Sequence, residues 1–344
     1  MKKRIFTMII SILFFLLFRF YMMVQAQSFE IIDIGEGRCP RFTPDSKKIG
    51  FLSQGWLYVA NSDGSGGIQK IAPVKALDFK WMSDSTLIYW SQDFRTKERI
   101  MATVNLEGEV RSLVSGGEQT LIEFPPVILP DGTVGFYKSE GGEGSRIFEL
   151  IKEGSLTPDS GMKQLRVQIG FAGPNVMYGD IWLVSVDGTI KKRITTNKRF
   201  TFPQLSPNGE KILTSKIPGA DPYLGQGAYV VDLNGQETFI GDEDIWTPVT
   251  DSTGKIHHYS IEASVGLLAE WSPDGSKIVY MYQKTNEEDI VASDLVIKNA
   301  DGTGRFQIKT QDEMEMEPVW SPDGNMIACE TYKTNKIRIF RLNF

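Results

Sequence analysis

The sequence predicts an all-β fold, a single β-propeller of four-stranded blades. Three observations predict it: a turn motif recurring at blade-like spacing, a second turn signal in step with it, and a last copy one strand short. The class is compatible with 344 residues at 41% hydrophobic and 23% charged, because closed β architectures exceed the usual domain length as single units.

The motif is clearest in Trp271-Ser-Pro-Asp-Gly-Ser-Lys-Ile, Trp320-Ser-Pro-Asp-Gly-Asn-Met-Ile and Leu205-Ser-Pro-Asn-Gly-Glu-Lys-Ile. Looser copies start at Phe42, Trp81 and Ile128, and a degenerate one at Phe171. Starting from Phe42, the spacings are 39, 47, 43, 34, 66 and 49 residues, which, the 66 apart, bracket the length of a four-stranded blade. Proline at the second position presets φ for a type I turn, and glycine at the fourth accepts positive φ. The flanks Leu267–Trp271 and Lys277–Tyr282 are β-rich, so the motif reads as a hairpin between a first and a second strand.

The second signal follows an apolar strand in most copies, as at Asp63-Gly64, Glu107-Gly108, Glu153-Gly154, Asp187-Gly188, Asn234-Gly235 and Asp301-Gly302. After Trp320 the chain supplies only two more strands, Met326–Thr331 and Lys336–Leu342. Phe29–Ile34 is a spare strand at the other end, and it is expected to complete the last blade and close the ring. Seven copies favour seven blades. Six would follow if the Phe171 copy belonged to an irregular neighbour. Thr247–Ile256 is a half-copy too short for a blade, and reads as an inserted hairpin or loop.

The repeat resembles the TolB-like β-propeller family of PD40, or WD40-like, repeats. The resemblance spans residues 29–344, most clearly 205–212, 271–278 and 320–327. It implies a propeller, often six-bladed, that works in the bacterial periplasm as an interaction platform. The chain departs from TolB in leaving no room for the α/β domain that precedes that propeller, which puts a role in the Tol–Pal envelope system in doubt.

Residues 1–26 read as a cleaved signal peptide: Lys2, Lys3 and Arg4, then an apolar run from Ile5 to Phe18, then Val24-Gln25-Ala26 as the cleavage site. That run is shorter than a membrane span needs, although an uncleaved anchor reaching Val24 is the alternative. A periplasmic or secreted protein is expected, with residues 27–344 as one propeller domain and no span after cleavage. Cleavage moves the formal charge from −6 to −10 and leaves about 45 residues for each of seven blades. Cys39 and Cys329 would both enter an oxidising compartment, so a disulfide between them is permitted; two separate buried thiols is the other reading.

In alternating strands both turn types fall on one face, and the longer connections 139–145, 216–227, 242–266, 283–293 and 309–316 on the other. That long-loop face, with the channel mouth, is the candidate site. His257 and His258 are adjacent, so on a strand they point oppositely; one could serve as ligand or base, or both could be structural. Glu313, Glu315 and Glu317 alternate and would share one side of an extended segment, attracting a cation or basic partner if they are not simply solvated. Tyr223, Trp246 and Tyr259 could stack on a sugar.

Two histidines cannot build a multi-histidine metal site such as propeller oligogalacturonide lyases use, so neither metal nor cofactor is expected. No Gly-x-Ser-x-Gly elbow, phosphate loop, Cys-x-x-Cys or His-Glu-x-x-His occurs. No basic run suits nucleic acid. The reading is a non-catalytic monomeric platform that binds an envelope protein or a glycan through its long-loop face. The alternative is a carbohydrate-active enzyme, glycosidase or lyase, with carboxylates at the channel mouth. Two inward carboxylates in a deep pocket would favour the enzyme, and a shallow acidic face would favour binding.

Overall fold

The computed structural model describes residues 28–343 apart from 72–74, 93–94, 96–98, 117–119, 129–133, 141–145, 152–164, 172–178, 186–190, 198–199, 217–226, 241–245, 251–255, 261–268, 286–289 and 311–313, together with some side chains in the middle strands. Every element among the described residues is a strand.

In chain order, β1 is Ser28–Glu36. A four-stranded sheet follows: β2 Arg38–Phe42, β3 Lys48–Ser53, β4 Trp56–Asn61 and β5 Gln69–Lys70. The next contains β6 Asp78–Trp81, β7 Thr86–Gln92, β8 Arg99–Asn105 and β9 Val110–Gly116. A three-stranded unit is formed by β10 Thr120–Ile128, β11 Val134–Glu140 and β12 Arg146–Ile151. Then come β13 Leu165–Phe171, β14 Gly179–Ser185 and β15 Lys191–Arg193, joined by one residue pair to the four strands β16 Phe200–Leu205, β17 Lys211–Lys216, β18 Gly227–Asp232 and β19 Glu237–Phe239. The hairpin β20 Trp246–Thr250 and β21 Ile256–Ser260 stands alone, on the segment read as an insertion. β22 Ala269–Trp271, β23 Lys277–Thr285, β24 Ile290–Asn299 and β25 Phe306–Ile308 form another four-stranded sheet. The last has β26 Glu315–Trp320, β27 Met326–Thr331 and β28 Lys336–Asn343, with β1 as its fourth strand.

All named pairings are antiparallel, and the arrangement is consistent with a propeller. β1 pairs along β28 from Ser28↔Asn343 to Glu36↔Lys336, so the spare N-terminal strand does complete the last sheet. Its inner face carries Phe29, packed edge-on against Phe340 at 5.7 Å and Phe306 at 6.5 Å.

The second strands are short and apolar because each sheet is covered on both faces. Ile49, Phe51 and Leu52, then Leu87 to Trp90, then Ile278 to Met281, are all buried. The last sheet shows the sandwich directly. Ile327, Cys329, Phe340 and Leu342 pack on Val279, Leu295 and Ile297 of the sheet before it. Met326, Ala328, Ile337 and Ile339 turn the other way, onto Phe42, Ile49 and Phe51 of the first sheet. Chain beginning and chain end thus share a core, and the first strands β2, β6, β22 and β26 stand beside one another on its inner side.

The turn motif has its expected geometry and one interaction more. The fourth residue has positive φ in four described copies of the pattern, Gly209, Gly275 and Gly324 at 74°, 69° and 74° and Ser46 at 62°; Ser85 of the looser Trp81 copy does not. The leading hydroxyl is buried and works twice. Ser321 donates to Asp323 Oδ1 at 2.6 Å and accepts the Met326 N–H at 2.8 Å; Ser272 does the same with Asp274 and Lys277, at 2.6 and 2.8 Å. Ser272 first, and then the hydroxyl and N–H of Ser276, hold the Asp274 carboxyl down to about 2. Ser321→Ala is expected to cost about 1–3 kcal/mol in chemical denaturation, because it leaves a buried N–H without an acceptor.

Candidate binding site

Four of the first strands carry a proline that the turn motif does not include, and β6 and β22 do not. Pro40, Pro126, Pro203 and Pro318 each lie four residues before the turn proline at 44, 130, 207 and 322. Proline has no N–H for the ladder, so the pairing slips there, between Arg38/Arg41, Glu123/Val127, Thr201/Gln204 and Met316/Val319. The residues before two of these prolines, Cys39 and Glu317, sit at φ 54° and 50°, a strained region for side chains of this kind.

Beyond the bulge, on the side nearer the turns, corresponding positions of neighbouring first strands carry Arg41, Lys80, Gln204, Glu270 and Val319. Arg41 Nε donates to Phe79 O at 3.1 Å and its Nη2 lies 3.3 Å from Asp78 Oδ2. Gln204 Nε2 donates to Ala269 O at 3.1 Å. Each therefore reaches the next first strand. Tryptophans return the contact: Trp81 Nε1 donates to Arg41 O at 2.9 Å, and Trp271 Nε1 to Gln204 O at 3.3 Å. Glu270 accepts the Trp320 N–H and feels Arg41, yet enclosure dominates and pushes its carboxyl up to about 7. Burial, then the nearby Arg41 charge, lowers Lys80. This girdle ties the sheets together and lines their inner side with charge.

At the other end of the same strands, away from the turns, the two strained residues converge on Glu330 of β27. Glu317 is hydrogen-bonded to the Glu330 carboxyl, and the Cys39 N–H donates to it. Burial first, and then Glu317, raises Glu330 to about 7, with Arg38 opposing. Glu330 therefore keeps its proton up to near neutral pH. Burial pushes the neighbouring Cys39 thiol up to about 12, helped by Asp78, Glu317 and Glu330, so it is not a nucleophile. The end of the inner surface is thus an acidic cluster built from β2, β6, β26 and β27.

Of the described binding residues singled out in the sequence, only Glu317 belongs to this group, together with Cys39, which was singled out for a disulfide. Glu315 and Glu317 do not share a side, because the bulge at Pro318 breaks the alternation between them. Glu317 is exposed, whereas Glu315 is 0% exposed. Glu315 accepts from Thr310 Oγ1 at 2.6 Å and from Arg338 Nη1 at 3.3 Å, and Arg338 Nε also donates to Asp33 of β1 at 2.8 Å. Buried Asp294 accepts the Thr310 N–H at 3.2 Å and Gln307 Nε2 at 2.6 Å beside it. That network fastens β1 to the sheet; it offers no surface for a cation.

Cys39 and Cys329 are unbridged. Glu330, the residue next to Cys329, faces Cys39; Cys329 itself turns to the opposite side, into the core against Val279 and Leu295. The 283–293 connection is not a loop throughout, since Gln283↔Ser293 and Thr285↔Ile290 extend the ladder. His257, His258 and Tyr259 lie on β21 and Trp246 on β20, opposite Ser260. Their side chains, and the residues Tyr223 and Glu313, lie outside the described residues.

Sequence signals for this site existed. A proline four residues ahead of four of the turns marks the bulge, and Cys39 before Pro40 and Glu317 before Pro318 are the two polar residues placed before it. Arg38, Asp78, Glu270 and Glu330 carried no such mark. Among the described residues no group of three or more His, Cys, Asp or Glu is arranged to hold a metal ion, and no helix is long and apolar enough to cross a membrane.

No family model matches the chain, and no curated protein does. Among solved structures it is similar to a TolB described as putative from Agrobacterium tumefaciens, at 15% identity over 92% of this chain and 98% of that one, TM-score 0.42. It is similar to the Cps50 (Swd1) β-propeller domain of Myceliophteria thermophila, at 11% identity over 92% and 100%, TM-score 0.49. An oligogalacturonate lyase of Vibrio parahaemolyticus is similar at 13% identity over 88% and 76%, TM-score 0.41. These likenesses leave the function to the site.

Proposed function

We propose that the protein is a non-catalytic binding platform, a seven-bladed propeller closed by β1, which takes an envelope protein or glycan at the end of its channel that bears Glu317 and Glu330. The observation that carries this reading is the direct hydrogen bond between those two carboxyls. Glycoside hydrolysis needs its carboxyls about 5–9 Å apart, with the scissile bond between them. A touching pair cannot straddle a substrate, but it presents acceptors to an ammonium, guanidinium or hydroxyl donor and can exchange its proton for it. Export to the periplasm, from the leader expected at residues 1–26, completes the reading.

The alternative keeps one specific support. Glu270 and Glu330 both stand near 7, on separate strands of the same inner surface, in the range suited to acid–base work. A pH titration separates the two. With Glu330 losing its proton near 7, retention of a basic partner is expected to strengthen as pH rises through that value. In Glu330→Gln the rise should vanish and affinity should fall about tenfold, the equivalent of one charge-assisted hydrogen bond. Retention that ignores both pH and the substitution would overturn the proposal.

A further inference from the structure

The turns that join third strand to fourth repeat one geometry from sheet to sheet. In each, a glycine N–H donates to the carbonyl three residues back: Gly64 to Asn61 at 3.1 Å, Gly108 to Asn105 at 3.0 Å, Gly235 to Asp232 at 3.0 Å and Gly302 to Asn299 at 2.8 Å. The residue before the glycine is an acid at Asp63, Glu107 and Asp301, and an amide at Asn234. Asp63 and Asp301 each accept the N–H two residues on, from Ser65 and Thr303, both at 2.9 Å. The turn thus accommodates a carboxylate at the position where Asn234 holds a carboxamide.

The chain contains one other Asn-Gly pair, Asn208-Gly209, in the first turn of the same sheet. The two glycine nitrogens are held alike, since Gly209 N–H donates to Ser206 O at 2.8 Å. The two amides are not. Asn208 Oδ1 accepts the Ser206 hydroxyl at 2.7 Å and the Glu210 N–H at 3.2 Å, and its Nδ2 donates to Glu210 Oε2 at 3.2 Å. Asn234 is exposed; its backbone N–H donates to Asp232 Oδ1 at 2.8 Å, and its side chain has no hydrogen-bond partner among the described residues.

From this we propose that Asn234 is a self-modification site, at which the carboxamide is converted to a carboxylate without an enzyme. The Gly235 nitrogen attacks Asn234 Cγ, the new C–N bond closes a five-membered succinimide, and the side-chain nitrogen leaves as ammonia with the proton from the glycine. Water then adds to one of the two ring carbonyls. One cleavage gives aspartate, and the other gives isoaspartate, with the main chain routed through the side chain. Glycine permits the attack because no side chain shields its nitrogen. Turning Cγ toward that nitrogen breaks three hydrogen bonds at Asn208 and none to a described residue at Asn234.

The two products differ at the seam with the preceding sheet. Lys192 Nζ donates to Leu233 O at 2.9 Å, and Gly235 lies so close to that sheet that a Cβ on it would meet Ile194 O at 2.6 Å. Aspartate keeps this backbone and adds a negative charge beside the carbonyl that Lys192 holds. Isoaspartate lengthens the main chain and displaces Gly235 from its contact. The site shares no residue with the channel end and does not depend on that reading.

The test incubates the folded full chain at mildly alkaline pH, follows the acidic species by ion exchange, and locates both products by peptide mapping. Conversion at Asn234 is expected to run at least about tenfold faster than at Asn208, the equivalent of one or two of the hydrogen bonds that hold the latter. In the urea-unfolded chain those bonds are gone, and the two sites should convert at comparable rates. Asn234→Ser should abolish the acidic species. Asn234→Asp should melt with the parent, whereas the isoaspartate form separated from the incubation should melt lower. The inference is overturned if Asn234 does not convert, if Asn208 converts as fast in the folded chain, or if the difference between them persists in urea.

Discussion

Phe340→Ala is expected to destabilise the protein by about 3–5 kcal/mol in urea or guanidinium denaturation. Phe340 is 0% exposed and lies in the core that the last two sheets share, with Phe29 of the N-terminal strand packed edge-on against it. Removing the ring therefore opens the seam at the point where the two chain ends are joined. Ile31→Ala is the matching control on the closing strand. Ile31 is 48% exposed, and its truncation should change stability by less than about 0.5 kcal/mol. Equal losses from the two variants would mean that β1 does not contribute through the core.

Arg338→Ala should cost a similar amount, about 3–5 kcal/mol, because it strips buried Glu315 of its ion-pair partner among the described residues. Its pH dependence separates this cause from lost packing. Burial holds Glu315 above the ordinary glutamate value of 4.5, with the Thr310 hydrogen bond and the Arg338 charge opposing, so ionising it costs more in the fold than in the unfolded chain. A raised acid contributes stability that is complete below the unfolded value and is lost as pH rises through the folded one. The deficit of Arg338→Ala should accordingly be greatest near neutral pH and shrink in acid. Adding Glu315→Gln should recover most of it at neutral pH. Asp33 works in the other sense: hydrogen bonding to Arg338 lowers it, so its contribution is present above 3.8 and is lost only as pH falls through the lower folded value. A deficit independent of pH, unrescued by Glu315→Gln, would assign the loss to packing.

The parts of the fold that could be read in the sequence are those decided within a few residues. Ser-Pro-Asp-Gly sets φ, caps its own hairpin through the serine hydroxyl and needs no distant partner, so Ser206, Ser272 and Ser321 behave alike. The pairing of the first described strand was legible by another route: the Trp320 copy is followed by two strand patterns where other copies have three, and Phe29–Ile34 is a strand pattern outside every copy. The site was less legible because it joins residues that share no local pattern. Cys39 and Glu330 meet across nearly the whole chain, and what aims them is a slip in strand pairing that shifts side chains to the other face. The same slip separates Glu315 from Glu317, which simple alternation places together. The cysteines show the limit of reasoning from chain ends alone: adjacent strands brought β2 beside β27, but one residue of phase put Glu330, not Cys329, opposite Cys39.

The most direct measurement exposes the immobilised protein, and a Glu317→Gln/Glu330→Gln double variant, to basic envelope proteins and to an oligosaccharide library at pH 7.5, with retained and released material analysed in the same run. Saturable retention by the parent, reduced at least about tenfold in the double variant and accompanied by no cleaved or eliminated product, is the predicted result. Release of a shortened or unsaturated saccharide by the parent, or retention untouched by the double substitution, would contradict it.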